Sequence, residues 1–398
     1  MPATQSCLSP PAPGASTSGR GTDLTSSRFV AFDVTPLQNG HRSRGIGTYV
    51  RGLALQLLEQ ETVPIEFWGW TDDLPFPTPP PPHRGLWLPR LGVPRTRFPA
   101  LLRAAMRVRQ RLSRASAIHI TDPNALIYGD RRPLLTTVYD LIPLHQPRPE
   151  TPAYKRYLEM LQSAAAVFAI SEATARDVIS TLKVPSDRVI LAQPGISIPA
   201  ETELPAPPIT GPYFLYVGSP DPHKNLDVLI KAMALCQDLP DHLVMVGNWP
   251  DSSLSDLRAR AEQMAALRGR IHHLGYVDTL TLASLYRSAT AVVVPSLTEG
   301  FGLPVGEAMA AGAPVIHSRL RVLEEVSAGN ALTFTATSES ELAGYLRNLS
   351  SDPQLRSSLR ARGSRRARSL TWTGAVERTL AAYGDALARR APEDRPAR

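Results

Sequence analysis

Two glutamates, Glu299 and Glu307, stand with seven residues between them in the stretch AVVVPSLTEGFGLPVGEAMAAGAPVIHS, Ala291–Ser318. A carboxylate can accept two hydroxyl protons at once, so the pair suits a ligand rich in hydroxyl groups. The segment around them predicts a strand–loop–helix–strand unit. Ala291–Pro295 is a short apolar run of the kind found in buried parallel strands. Ser296–Leu303 is a turn with two glycines. Pro304 can open a helix, because its missing N–H costs nothing in the first turn. Val305–Ala311 reads as that helix, Gly312 as its C-cap and Pro314–His317 as the next strand. A glycine loop leading into a helix start presents free N–H donors, usually to an anion.

Lys224 is the second candidate, in SPDPHKN, Ser219–Asn225. It follows the predicted strand Tyr213–Gly218 and a turn, just before the predicted helix Leu226–Cys236. A lysine there is a point charge placed to meet a diphosphate. Gly45 and Gly47 are the third. They lie in a loop, Thr35–Gly47, between the strand Arg28–Asp33 and a helix predicted over Thr48–Gln60. That arrangement fits a phosphate cradle, with Arg44 adding charge, or a purely structural turn.

The elements that must position these groups alternate along 398 residues, enough for two domains of about 150–200 residues each. Short apolar strands at Ile65–Trp70, Ser116–Ile120, Leu134–Tyr139, Val167–Ser171 and Val189–Leu191 alternate with helical patterns at Ala153–Ala166 and Glu172–Leu182, with Ser171 as N-cap. In the second half, strands at His242–Gly247 and Ile271–Leu274 alternate with helices at Ser253–Leu267 and Thr279–Arg287. Glu339–Leu349 and Pro353–Ala367 are helical. This alternation predicts two doubly wound α/β domains. The expected divisions are a disordered tail over 1–27, an N-terminal domain over 28–205, a C-terminal domain over 206–370, and a last helix and tail over 371–398.

Composition narrows the class. A 43% hydrophobic and 20% charged chain is typical of a soluble globular protein, and no apolar run approaches a membrane span. Cys7 and Cys236 offer no disulfide framework, which favours a reducing, cytoplasmic compartment. The net charge of +7 permits anionic partners, and no nucleic-acid-binding motif accompanies it. Proline crowds Leu74–Pro99, read as a surface excursion outside the core. Arg97–Arg114 forms a basic amphipathic pattern. It reads either as a helix docking on anionic lipid or acceptor, at the inner membrane face, or as a core helix with a solvated basic face.

The E-x7-E spacing with FG-x-P inside it resembles the signature of retaining GT-B glycosyltransferases of family 4. The resemblance is strongest over Tyr213–Val326 and extends to Phe29–Tyr49 and His119–Pro194. It implies two Rossmann-like domains facing across a cleft, with the helix over Trp372–Arg389 crossing back onto the first. It implies that Glu299, Gly300, Phe301, Gly302 and Leu303 contact the donor sugar and Glu307 the ribose. Lys224 would bind the leaving diphosphate. Ser219 and His223 stand where some members place an arginine, so Lys224 would be the main cation, with His223 assisting when protonated. Gly45 and Gly47 would touch donor phosphates or acceptor, and Tyr276, in HHLGYVD, lies in the segment that reads the base. Glu325 matches the acid of the element after the next strand. TVYDLIPLHQP resembles a segment in which a histidine stands at the place of Tyr139. HITDPNA then makes His119 the candidate catalytic histidine, with Asp122 and Asn124 nearby, or Thr121 in its place.

The implied activity is transfer of a sugar from a nucleotide-diphosphate donor, the co-substrate, with no other cofactor and no metal. The expected acceptor is a glycan or lipid-linked hydroxyl. GDP-mannose is the first donor expected, from likeness to bacterial mannosyltransferases of polysaccharide assembly; UDP-glucose, UDP-N-acetylglucosamine and deoxysugar donors are the others. The alternatives are a nucleotide-sugar 2-epimerase on the same fold and a non-catalytic GT-B subunit.

Overall fold

The computed structural model describes residues 28–71, 83–87, 110–122, 130–141, 152–199 and 204–388, with positions 79 and 108 besides. The expected tail at 1–27, Asn124, most of the proline-rich 74–99 segment and most of the basic 97–114 segment lie outside them.

Thirteen described strands form two parallel sheets. The first contains β1 (Phe29–Asp33), β2 (Ile65–Gly69), β3 (Arg84–Trp87), β4 (Ala115–Ile120), β5 (Leu134–Val138), β6 (Ala166–Ala169) and β7 (Val189–Leu191), in the order β3-β2-β1-β4-β5-β6-β7. The second contains β8 (Tyr213–Val217), β9 (His242–Val246), β10 (Ile271–His273), β11 (Ala291–Val294), β12 (Val315–Ser318) and β13 (Leu332–Phe334), in the order β10-β9-β8-β11-β12-β13. Helices α1 (Gly45–Leu58), α2 (Pro152–Ser163) and α3 (Glu172–Leu182) belong to the first sheet. Helices α4 (Leu226–Leu235), α5 (Asp251–Gln263), α6 (Thr279–Ser288), α7 (Leu303–Ala310), α8 (Arg321–Ser327), α9 (Glu339–Ser351) and α10 (Pro353–Ala367) belong to the second. The last helix, α11 (Thr373–Ala388), packs against α1, β1, β4 and β7 of the first sheet. The architecture is that of a GT-B fold, two Rossmann-like units with a C-terminal helix returning to the first.

Central strands such as β6 and β11 are buried on every residue, which is why they read as unbroken apolar runs rather than alternating ones. In each sheet the strand order reverses once, between β1 and β4 and between β8 and β11. Ligands of open parallel sheets bind beyond the carboxyl ends of the strands at such points.

Three expectations need correction. Helix α1 begins at Gly45, three residues earlier than predicted, so Gly45 and Gly47 lie in its first turn and not in the preceding loop. The proline-rich excursion contains β3, a sheet edge strand paired with β2. Prolines flanking an edge strand interrupt no ladder, so the composition hid it. Arg84 within β3 lies over the Phe29 ring at 4.0 Å and pairs with the buried Glu66. In the basic segment, positions 108 and 110–112 are helical, with Val108 and Leu112 of the apolar face exposed. Those two side chains are not core.

Candidate functional site

The reversal in the second sheet carries the pair read from the sequence. Lys224 follows β8 and Glu299 follows β11. Lys224 Nζ lies 2.7 Å from Glu299 Oε1, and both side chains are largely covered, at 21% and 10% exposure. Ser296 Oγ donates to the same carboxylate oxygen at 2.7 Å. The local backbone explains how Lys224 gets there. Pro222–Lys224 is one tight helical turn, and Asn225 after it adopts the left-handed conformation, at φ 54°. The Asn225 amide donates to Pro295 O at 3.0 Å and Ala336 O at 2.8 Å, and Leu297 N donates to His223 O at 2.7 Å. The turn after β8 is thereby sewn to the turn after β11. His223 contributes its backbone to this seam. Ser219 Oγ is turned inward onto Asp221 at 2.6 Å, as part of the turn.

Gly302 caps α7 at φ 96°, and a methyl group there would lie 2.4 Å from Leu323 Cδ2, so only glycine fits. Phe301 is buried. Thr298 Oγ1, beside Glu299, is buried without a hydrogen-bond partner. Glu307 sits one turn into α7 and accepts a hydrogen bond from the buried Tyr286 hydroxyl at 2.8 Å. Burial raises its carboxyl above the ordinary range, opposed by the Tyr286 bond and by the Arg51 charge from α1. Tyr276 projects from the β10–α6 connection at 68% exposure.

The first domain closes over this loop. A methyl group on Gly300 would lie 2.1 Å from Tyr139 O, and one on Gly45 would lie 3.5 Å from Leu303 Cδ1. Thr174 Oγ1 donates to Gly300 O at 3.3 Å. Tyr139 packs edge-on against Tyr49, with ring centroids 5.6 Å apart. Gly47 is fixed by close packing: a methyl group there would lie 2.4 Å from His41 O, which accepts from Gly47 N at 3.1 Å. The glycine lets the 39–44 loop lie on the helix.

His119 is not part of this surface, which corrects the expectation that it is the catalytic histidine. It is fully buried within β4. Its Nδ1 meets Tyr383 Oη of α11 at 2.7 Å and its Nε2 meets Thr137 Oγ1 at 2.8 Å. Phe32 and Phe168 flank the ring. Burial lowers its pKa to about 3, so it stays neutral. Thr121 is likewise buried, its hydroxyl bonded to Asp33 O at 2.6 Å.

Sequence reasoning missed a polar group at the reversal of the first sheet. Asp33, at the end of β1, accepts from Thr35 N and Oγ1 at 3.0 and 2.7 Å and from Asp122 N at 3.0 Å. Asn39 donates to Asp122 Oδ2 at 2.8 Å and accepts from His41 N at 2.8 Å. The one signal in the sequence was an aspartate at a strand end followed by a turn. Among the described residues, no group of three or more His, Cys, Asp or Glu side chains could hold a metal ion.

Two Rossmann-like units, paired charges at one reversal and a glycine-lined contact with the other unit define the GT-B class of transferases. Comparison with known proteins gives the family. A model described as glycosyltransferase family 4 matches residues 43–198, and one described as glycosyl transferases group 1 matches residues 201–366. The chain belongs to the family 4 GT-B glycosyltransferases. It is similar to an O-antigen chain mannosyltransferase B of Escherichia coli, 29% identical over 271 residues, covering 63% of this chain and 69% of that protein. It is also similar to a D-inositol 3-phosphate glycosyltransferase of Jonesia denitrificans, 31% identical over 261 residues, covering 56% of this chain and 58% of that one. Among solved structures, sucrose-phosphate synthase of Thermosynechococcus elongatus shares the fold at a TM-score of 0.71 and 21% identity, covering 91% of this chain and 99% of that one.

Proposed function

We propose that this glycosyltransferase moves a hexose, mannose from GDP-mannose in first place, to a hydroxyl of a glycan or lipid-linked acceptor, with retention of configuration. The observation that carries the reading is the Lys224–Glu299 pair at the β8/β11 reversal. Lys224 and the start of α7 would stabilise charge on the leaving diphosphate, the main electrostatic demand of the step. Glu299 and the amides of Phe301–Leu303 would orient the sugar. Glu307 would hold the ribose through its carboxylate, and Tyr276 would lie beside the base. The acceptor hydroxyl would attack on the leaving-group face and pass its proton to the departing phosphate oxygen. That route asks for no second carboxylate and no metal. Mannose is favoured by the similarity to O-antigen mannosyltransferases of Escherichia coli and Salmonella typhimurium.

The test is thermal shift against a panel of nucleotide sugars, since a ligand that binds the folded state raises Tm. Transfer assays with the stabilising donor follow. GDP-mannose should give the largest shift. Stabilisation by a UDP-sugar instead would move the donor assignment. Epimerised nucleotide sugar without acceptor, or binding with neither hydrolysis nor transfer, would sink the transferase mechanism. Glu299→Ala should lower kcat about 10²–10³-fold, the loss seen when one preorganised polar contact to the reacting group is removed; unchanged transfer would remove Glu299 from the site.

A further inference from the structure

The charge that acts on Glu307 comes from the other domain. Glu307 stands in α7 and keeps partial exposure. Helices α1 and α7 approach each other at their starts, where a methyl group on Gly45 would lie 3.5 Å from Leu303 Cδ1. Further along, Gly52 of α1 packs on the Trp372 indole, and Gly306 of α7 packs on Ile196 and on Leu370, two residues before that tryptophan. Arg51 and Glu307 are the chain neighbours of those two glycines. The Arg51 charge opposes the rise that burial produces in the Glu307 carboxyl. Arg51 itself is exposed and enters no hydrogen bond or ion pair among the described residues. The other groups around α7 are engaged. Tyr286 of α6 donates to Glu307 Oε2 at 2.8 Å. Arg360 of α10 donates to the carbonyls of Arg287, Ala289 and Gly312, and Arg366 to those of Glu325 and Val326. Glu325 of α8 accepts from the start of α3, Glu324 acts on His317 of β12, and Glu299 pairs with Lys224. Among the described residues, Arg51 is therefore the cation that acts on Glu307.

We propose that Arg51 is a positioning residue of the donor site: from the first domain it partners Glu307 across the closed interface, so that the ribose subsite reaches full acceptor strength only when the domains are shut. The assignment rests on the reading above, in which Glu307 holds the ribose. A carboxylate accepts two ribose hydroxyl protons, whereas a protonated carboxyl must donate one of its own. An opposite charge nearby favours the carboxylate, and burial disfavours it. Arg51 and Glu307 belong to different domains, so their attraction acts only while α1 and α7 lie together. Donor binding and closure are then linked, and each strengthens the other by the same factor.

The experiment measures donor Kd by calorimetry across a pH series, using the nucleotide sugar selected by thermal shift. It compares wild type, Arg51→Gln, Arg51→Lys, Glu307→Gln and the Arg51→Gln, Glu307→Gln double variant. In the wild type, affinity is full while Glu307 is charged and falls as the pH drops through its raised pKa. Arg51→Gln should move that fall to higher pH. The donor should bind roughly fivefold more weakly at the acid end of the series and within about twofold of wild type at the alkaline end. Arg51→Lys should restore the wild-type profile, and Arg51→Gln should add no loss in the Glu307→Gln background. An Arg51→Gln profile that superimposes on wild type overturns the assignment. So does a loss equal at every pH, or one that persists beside Glu307→Gln, since Arg51 would then touch the donor itself or only shape α1. Those outcomes overturn this assignment alone. Wild-type protein that binds no nucleotide sugar overturns the parent reading, and wild-type affinity in Glu307→Gln overturns the ribose role of Glu307; either takes this assignment with it.

Discussion

At the scale of single residues, the order of the strands decides which side chains meet. Glu299 and Lys224 are far apart in sequence, and each was singled out by its own turn; their 2.7 Å contact follows from the sheet order. His119 is the opposite case. Its strand-end position resembled a cleft residue, while its partner Tyr383 lies 264 residues away, beyond the reach of any local pattern. Its depressed pKa makes a stability prediction. The unfolded chain takes up the proton near pH 6.5 and the folded chain only near pH 3, so stability is full above about pH 6.5 and falls as the pH drops toward 3. At pH 5.5 the loss from this residue is on the order of 1 kcal/mol. Unfolding free energies from urea titrations at pH 7.5 and 5.5 should differ less for His119→Asn than for wild type, by about that amount. Glu307 gives the companion prediction for binding. Its raised pKa means that the carboxylate is lost, as pH falls, earlier than an ordinary glutamate would lose it. Donor affinity should weaken through that range, and Glu307→Gln should flatten the profile in a calorimetric titration.

At the scale of elements, periodicity located the helices and parallel strands well, and errors gathered where packing overrode local preference. Gly45 and Gly47 read as loop because glycine is a poor helix interior residue. They begin α1 because the 39–44 backbone must lie against it. Gly47→Ala should therefore displace that loop rather than stabilise the helix. The expected readout is a lower Tm with a weakened acceptor KM, against the small gain that the same change gives in an exposed helix. The short strand β3 escaped notice because four residues among prolines carry no alternating pattern. The Lys224–Asn225 pair shows the reverse, a short motif whose two members split the work. Asn225 takes the left-handed backbone and ties two turns together, so Lys224 can face Glu299.

At the scale of the molecule, one hydrophobic cluster runs through both domains, and polar contacts and an aromatic wedge add to it. Glu325 of α8 reaches across to the start of α3, where Oε1 accepts from Glu172 N at 2.9 Å and the Gln193 amide donates to the same oxygen. A carboxylate at a helix start satisfies orphan N–H groups and meets the positive end of the dipole. Here Ser171 caps Thr174 N from within the domain, and the carboxylate that takes the first amides comes from the other domain. Trp372 lies in the segment before α11 and wedges against Gly52 of α1 and Gly195, where a methyl group would lie 2.2 and 2.4 Å from the indole. Ile196 N donates to Leu370 O at 2.9 Å beside it. Glu325→Ala should cost about 1–2 kcal/mol, the range for a lost cap. It should also widen the distance distribution between spin labels placed on the two domains. An unchanged distribution would assign Glu325 to α3 stability alone.

By itself, the sequence determined the fold class, the order of most elements and the turns that carry Glu299, Glu307 and Lys224. Those features depend on hydrophobic period, turn residues and motifs confined to a few consecutive positions. Tertiary structure alone decided that His119 belongs to the core and that α1 begins at Gly45. It alone brought His41 and Asp122 to one strand reversal and let Glu325 cap a helix of the other domain. Each of these depends on which distant backbone or side chain arrives at the site, and that is set by sheet order and domain closure rather than by neighbours along the chain.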